Sequence, residues 1–117
     1  MTDPDRRREL GEVYRLRIKE AGVYMLRSQA TGKILIGSSR DLVSLRNKID
    51  FGRSTGSASV LDQRMAADAR VHGMASIELV VLDLIDLRPE MTLAELTADL
   101  ASLEALWREK LAHVPQY

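Results

Sequence analysis

Gly22-Val23-Tyr24-Met25-Leu26 and Ile34-Leu35-Ile36-Gly37-Ser38-Ser39 are the two stretches whose reading decides the fold. Both are short and rich in branched or aromatic apolar residues, which favours strands. Between them, Ser28 to Gly32 supplies a polar, glycine-containing turn, so residues 22–28 and 33–38 read as a hairpin. Gly37 ends the second strand, and Ser38-x-x-Asp41 has the form of a capping box opening a helix. Leu42, Leu45 and Ile49 give that helix an apolar face, and Phe51 with Gly52 is expected to close it.

Downstream, residues 52–59 read as a loop, followed by a helix over about 60–72 with Val60, Leu61, Met65, Ala69 and His72 near one side. Gly73 is a natural stop. Ile77 to Leu82 reads as a third strand. Thr92-x-x-Glu95 caps a final helix, over about 93–112, whose stripe is Leu93, Leu96, Leu100, Leu103, Trp107 and Leu111. Residues 9–20 could carry a short helix, and the charged residues 1–8 are expected to fray. The order β-β-α-α-β-α predicts an α/β domain: a small three-stranded antiparallel sheet flanked by helices. It would span 21–117, with 1–20 as an N-terminal arm.

The 117 residues fit one domain with a core that needs no staples. Cysteine is absent, which excludes disulfides and thiolate metal sites. The two histidines, His72 and His113, lie far apart in sequence, which disfavours zinc. No apolar run approaches the roughly 20 residues of a membrane span, and Arg6-Arg7-Arg8 is followed by no apolar segment of the secretory type. A cytoplasmic protein without membrane contact is the expectation. The net charge of zero hides a gradient: residues 1–57 carry 12 Lys and Arg against 7 Asp and Glu, and residues 58–117 carry 5 against 10. A basic half can attract phosphates, although the whole chain lacks the high pI of many nucleic-acid binders.

The ordered set Ala21-Gly22-Val23-Tyr24, Gly32-Lys33, Ile36-Gly37-Ser38-Ser39, Asp41-Leu42, Asn47, Phe51, Gly56, Asp68, Gly73, Val81-Leu82 and Leu103-Glu104-x-Leu106-Trp107-x-x-Lys110-Leu111 resembles the GIY-YIG nuclease superfamily. More narrowly, it resembles its small stand-alone bacterial members. The resemblance implies hydrolysis of phosphodiester bonds with one divalent cation, Mg²⁺ or Mn²⁺. It implies that Glu104 binds the cation, which polarises the phosphate and stabilises the leaving oxygen. It implies that Tyr24 positions water and that an arginine on the following helix offsets developing charge.

Position by position, the pattern departs from the family. Leu35 stands where the second tyrosine belongs, and leucine has no polar atom. Spacing from Gly37 brings the helical arginine to Leu45 with Arg46 next to it. An Asn-Arg-His run of the closer relatives instead matches Asn47-Lys48-Ile49, where Lys48 offers charge without a two-pronged clamp. The stretch matching the family's late asparagine reads Pro115-Gln116-Tyr117. The candidate catalytic set is therefore Tyr24, Arg46, Lys48 and Glu104, with Glu104 as metal ligand. Ser38, Ser39, Arg40, Arg46, Lys48 and Arg53 are the candidate contacts to nucleic acid. Each has a plainer reading: Ser38 and Ser39 as helix caps, the basic residues as solvated surface, Tyr24 as a strand aromatic, and Glu104 as the flank of an apolar stripe.

Three functions follow from the resemblance. One is a nucleic-acid-associated protein with weak or lost metal-dependent endonuclease activity. The second is an active Mg²⁺-dependent DNA endonuclease. The third, left open because the charge balance does not demand nucleic acid, is a protein-interaction or oligomerising domain, such as a homodimer, on a nuclease-like scaffold.

Overall fold

The turn between the first two strands shows how local sequence sets the hairpin. Ser28 is fully buried, yet its hydroxyl accepts from the Thr31 amide at 3.3 Å. Gly32 takes the left-handed conformation (φ 76°) that closes the turn, which L-residues adopt at a cost. The computed structural model describes residues 11–117. Strands β1 (Gly22–Ser28), β2 (Ile34–Ser39) and β3 (Ile77–Leu84) form one sheet in the order β2-β1-β3. Both pairings are antiparallel, with Tyr24 opposite Gly37 and Leu26 opposite Leu35. The sheet is the predicted one, with β3 running two residues longer than expected and β2 continuing through Gly37, still paired with β1, to Ser39 instead of ending at the glycine. A register shift falls between Val23 and Tyr24 on the β3 side.

Helices cover both faces. Helix α1 is the single turn Glu12–Arg15; α2 is Leu42–Thr55, α3 is Gln63–His72 and α4 is Leu93–Lys110. Alternation along β1 sends Tyr24 and Leu26 to one face, where Leu26 and Ile77 pack with Ile49 of α2 and Met65 and Ala69 of α3. On the other face, Val23, Ile34 and Ile36 pack with Leu103 and Trp107 of α4. A third cluster joins Val13 and Ala21 to Met91, Leu96 and Leu100 at the start of α4. The predicted stripe of α4 thus serves two clusters, and its Thr92–Glu95 capping box is formed in both directions at 3.1 Å.

Four local expectations are corrected. Helix α2 is capped by Asp41, whose carboxylate accepts from the Ser44 amide at 3.0 Å, and not by Ser38. It runs on past Phe51, which is 61% exposed, to a left-handed Gly56. Gly52 is no stop: a Cβ there would lie 2.7 Å from Val60 and 2.9 Å from the Ser57 carbonyl, so it is glycine for close packing. The helix expected from residue 60 begins at Gln63 behind an Asp62 cap, with a short 3₁₀ turn at Ala58–Val60. The expected helix over 9–20 is only the turn α1; Arg17 then adopts φ 55°, which ends it. The frayed start, residues 1–8, and positions 9 and 10 lie outside the described residues.

The outer edge of β2 would be an unpaired row of backbone groups. The amide of Ile34 donates to Pro115 O (2.9 Å), and its carbonyl accepts from the Tyr117 amide (3.1 Å). Tyr117 in turn donates to Asp68 of α3 at 2.7 Å, which ties this segment to the helical layer.

Candidate active site

Tyr24 and Gly37 face each other across β1 and β2. A Cβ on Gly37 would sit 2.6 Å from the Tyr24 hydroxyl and 2.8 Å from its ring carbon Cζ. Glycine is therefore what lets the phenol lie flat across the second strand. Gly37→Ala should push the ring off the strand; the expected outcome is a changed Tyr24 environment by NMR with the remaining fold intact. An unchanged Tyr24 resonance would show that the ring does not lie there.

One residue before Gly37, the Ile36 carbonyl points to the open side of β2 and accepts from Arg108 Nη2 at 2.7 Å. Arg108 Nε also donates to Glu104 Oε2 at 3.0 Å. The two residues are one turn apart on α4, so the helix itself brings them together. Arg108 thereby fixes the carboxylate beside the strand that carries Gly37. The Glu104 side chain is 26% exposed, open enough to reach a ligand.

Tyr24 senses both charges. Burial raises its hydroxyl above the ordinary tyrosine value, the Glu104 charge raises it further, and Arg108 opposes them. The phenol therefore keeps its proton near neutral pH and is able to donate a hydrogen bond. The folded chain holds this proton more tightly than the unfolded one. Its stabilising contribution is intact below the ordinary tyrosine value and is lost as pH rises through the higher folded value. Glu104→Gln should lower the Tyr24 pKa and Arg108→Gln should raise it, read by ultraviolet titration in a background with Tyr14 and Tyr117 changed to Phe. No movement in either variant would separate Tyr24 from this pair.

The other predicted site residues run from the end of β2 along α2. Arg46 pairs with Glu20 at 3.7 Å on the exposed side of α2. Lys48 and Arg53 are exposed on the same helix, and Arg40 is exposed just before it. Ser39 accepts from the Asp41 amide at 3.0 Å, and Ser38 lies opposite Val23. The structure brings Tyr24 and Glu104 together and adds Arg108, which the sequence reading passed over. The i,i+4 spacing of Glu104 and Arg108 was a readable signal, but such pairs are common on helix surfaces.

Glu104 Oε2 is engaged by Arg108, while among the described residues no protein donor reaches Oε1. Among the described residues no group of three His, Cys, Asp or Glu could hold a metal. A cation here would take one oxygen from Glu104 and the rest from water and substrate phosphate, a donor set that Mg²⁺ accepts.

Two solved structures are similar to this chain over most of its length. A mutant form of the catalytic domain of intron endonuclease I-TevI matches at 16% identity and a TM-score of 0.56, covering 80% of this chain and 86% of its own. The structure of the catalytic domain of homing endonuclease I-TevI matches at 17% identity and the same TM-score, covering 79% and 88%. The fold is GIY-YIG-like. No protein-family model and no curated protein matches the chain.

Within this GIY-YIG-like domain, Leu35 lies two residues before Gly37 and so shares the sheet face of Tyr24. Its side chain is half-buried. The departure from the family pattern therefore falls on the face that carries the Tyr24 phenol.

Proposed function

We propose that this GIY-YIG-like protein binds DNA through the basic surface that runs from the end of β2 along α2 and cleaves it weakly, if a divalent cation is present. The observation that carries this reading is the corner of Tyr24, Glu104 and Arg108 at Gly37, combined with an apolar Leu35 on the same face as Tyr24. Mg²⁺ or Mn²⁺ bound with Glu104 would polarise a phosphate and favour departure of the leaving oxygen.

The chain's own groups do the rest. Arg108 orients Glu104 and places positive charge beside the strand edge, where a phosphate oxygen gains charge as the bond breaks. Tyr24, holding its proton, donates a hydrogen bond that orients water or phosphate but does not take a proton from the nucleophile. At position 35, a leucine offers nothing to activate water. Ser38, Ser39, Arg40, Arg46, Lys48 and Arg53 are the surface against which the backbone would lie, with Arg46 already shared with Glu20.

The test is nicking of supercoiled plasmid with Mg²⁺ or Mn²⁺. The wild-type chain should nick slowly. Glu104→Ala should remove the activity while leaving DNA affinity within about twofold. Nicking that survives Glu104→Ala would refute the assignment of the cation to this residue. No nicking by wild type under any metal condition would leave a binding protein only.

A further inference from the structure

The segment between α1 and β1 is held by backbone contacts on two sides. Just before α1, Gly11 N donates to Pro89 O at 2.8 Å, and at the far end of the segment Leu42 N donates to Glu20 O at 3.1 Å. Two adjoining depressions flank it. One, of about 630 Å³, has Tyr14, Ile18 and Leu87 in its lining, with Arg15, Arg17 and Arg88. The other, of about 420 Å³, continues past Arg17 and Lys19 to Arg40 and Val43 at the start of α2. Arg17, Ile18 and Lys19 line both, so the two depressions adjoin along this segment and together present one grooved surface.

This groove is strongly cationic. Arg15, Arg17, Lys19, Arg40 and Arg88 line it, and among the described residues Asp41 is its single carboxylate. Both oxygens of Asp41 are already engaged, one by the Ser44 amide at 3.0 Å and one by the Ser44 hydroxyl at 2.8 Å. The nearby acids are also occupied: Glu20 by Arg46, and Glu12 by the Leu93 amide at 3.4 Å. Arg88 is shared with Glu90 and Glu95. Among the described residues, no ion pair is recorded for Arg15, Arg17, Lys19 or Arg40.

The groove is aromatic and apolar as well. Tyr14 is 57% exposed and Leu16 56%, and among the described residues neither belongs to a core cluster. Cations beside an exposed ring suit a strand whose bases are unpaired, because stacking and phosphate contacts are then available together. A duplex would use the charges and leave the ring idle. The groove also runs towards the candidate site: Arg40 lies three residues beyond Gly37, with only Ser38 and Ser39 between.

We infer that this groove holds a single nucleic-acid strand, with phosphates on Arg15, Arg17, Lys19 and Arg40 and a base stacked on Tyr14, feeding the strand towards Gly37. The inference rests on the nucleic-acid reading above and adds the form of the substrate and its path. A protein partner with acidic and apolar residues is the competing occupant.

The experiment is equilibrium binding of a fluorescent 20-nucleotide oligothymidylate, and of a duplex of equal length, over a range of salt. The wild-type chain should prefer the single strand. Arg15→Glu with Lys19→Glu should weaken single-strand binding at least tenfold and flatten its salt dependence by about the two lost phosphate contacts. Tyr14→Ala should weaken it about tenfold, and Tyr14→Phe should restore it. Circular dichroism and thermal melting check that each variant is folded. Equal affinity for duplex, or Tyr14→Ala without effect, would overturn the single-strand assignment. Unchanged binding in the charge-reversal variant, with binding lost in Lys48→Glu with Arg53→Glu, would overturn the groove while sparing the nucleic-acid reading. Absence of any binding by the wild type would remove both.

Discussion

Leu35→Tyr should raise metal-dependent DNA nicking by about 10²-fold over the wild-type chain, the lower end of what a positioned acid–base group contributes. The reason lies in the register. Leu35 is opposite Leu26 and two residues before Gly37, so its side chain leaves the sheet on the same face as Tyr24. It is half-buried, which lets a longer phenol keep its ring against the sheet and send its hydroxyl to water. Glu104 is already fixed by Arg108, and Tyr24 already lies over Gly37, so the new group would enter a site whose other parts are in place. Leu35→Phe is the control, since it adds the ring without the hydroxyl. It should bring no gain. If the tyrosine variant folds and nicks no faster than the phenylalanine one, the remaining residues are not aligned for chemistry.

The largest effect on stability is expected at Met65. Its side chain is fully buried in the cluster with Leu26, Ile49, Ala69 and Ile77, on the sheet face that carries Tyr24. Met65→Ala removes three heavy atoms from a site enclosed by α2, α3 and the sheet, and should cost about 2–5 kcal/mol. Domains of this size are stable by only about 5–15 kcal/mol, so the variant should be near the limit of folding at 37 °C. Urea unfolding is the measurement: the midpoint should fall with little change in slope. A loss below about 1 kcal/mol would mean that α3 is not packed on the sheet as described. Val71, on the same helix but 77% exposed, should tolerate alanine with almost no change.

The sheet was legible in the sequence because alternation and turn chemistry agree at both ends of the hairpin. Gly32 supplies the left-handed turn residue, and Ile34 and Ile36 sit together on the α4 face. The last helix was legible for the same reason, with its capping box and its stripe pointing to one answer. The misread boundaries come from residues with two physical uses. Gly52 looked like a helix stop, but it is a contact point where Val60 and the Ser57 carbonyl approach the helix, and Gly56 makes the actual turn. Ser38 looked like a cap because it stands at the right distance from Asp41, yet Asp41 itself caps α2.

The candidate site was only partly legible. Tyr24 and Glu104 were found through a resemblance, and their closeness depends on α4 crossing the strand edge, which no spacing in the sequence encodes. Arg108 was missed because an i,i+4 pair reads as surface charge. Its bond to the Ile36 carbonyl, 72 residues away in sequence, is a tertiary fact. Arg46 was read as a phosphate contact; in the structure its guanidinium lies 3.7 Å from Glu20.

The proposed role of this GIY-YIG-like domain is to engage nucleic acid through an electrostatic surface next to a weak catalytic corner. Its most direct test is the affinity of the wild-type chain for DNA between 50 and 200 mM KCl. With three or four phosphates neutralised, affinity should fall by more than about tenfold across that range. Binding that is absent at low salt, or present and indifferent to salt, would contradict the account.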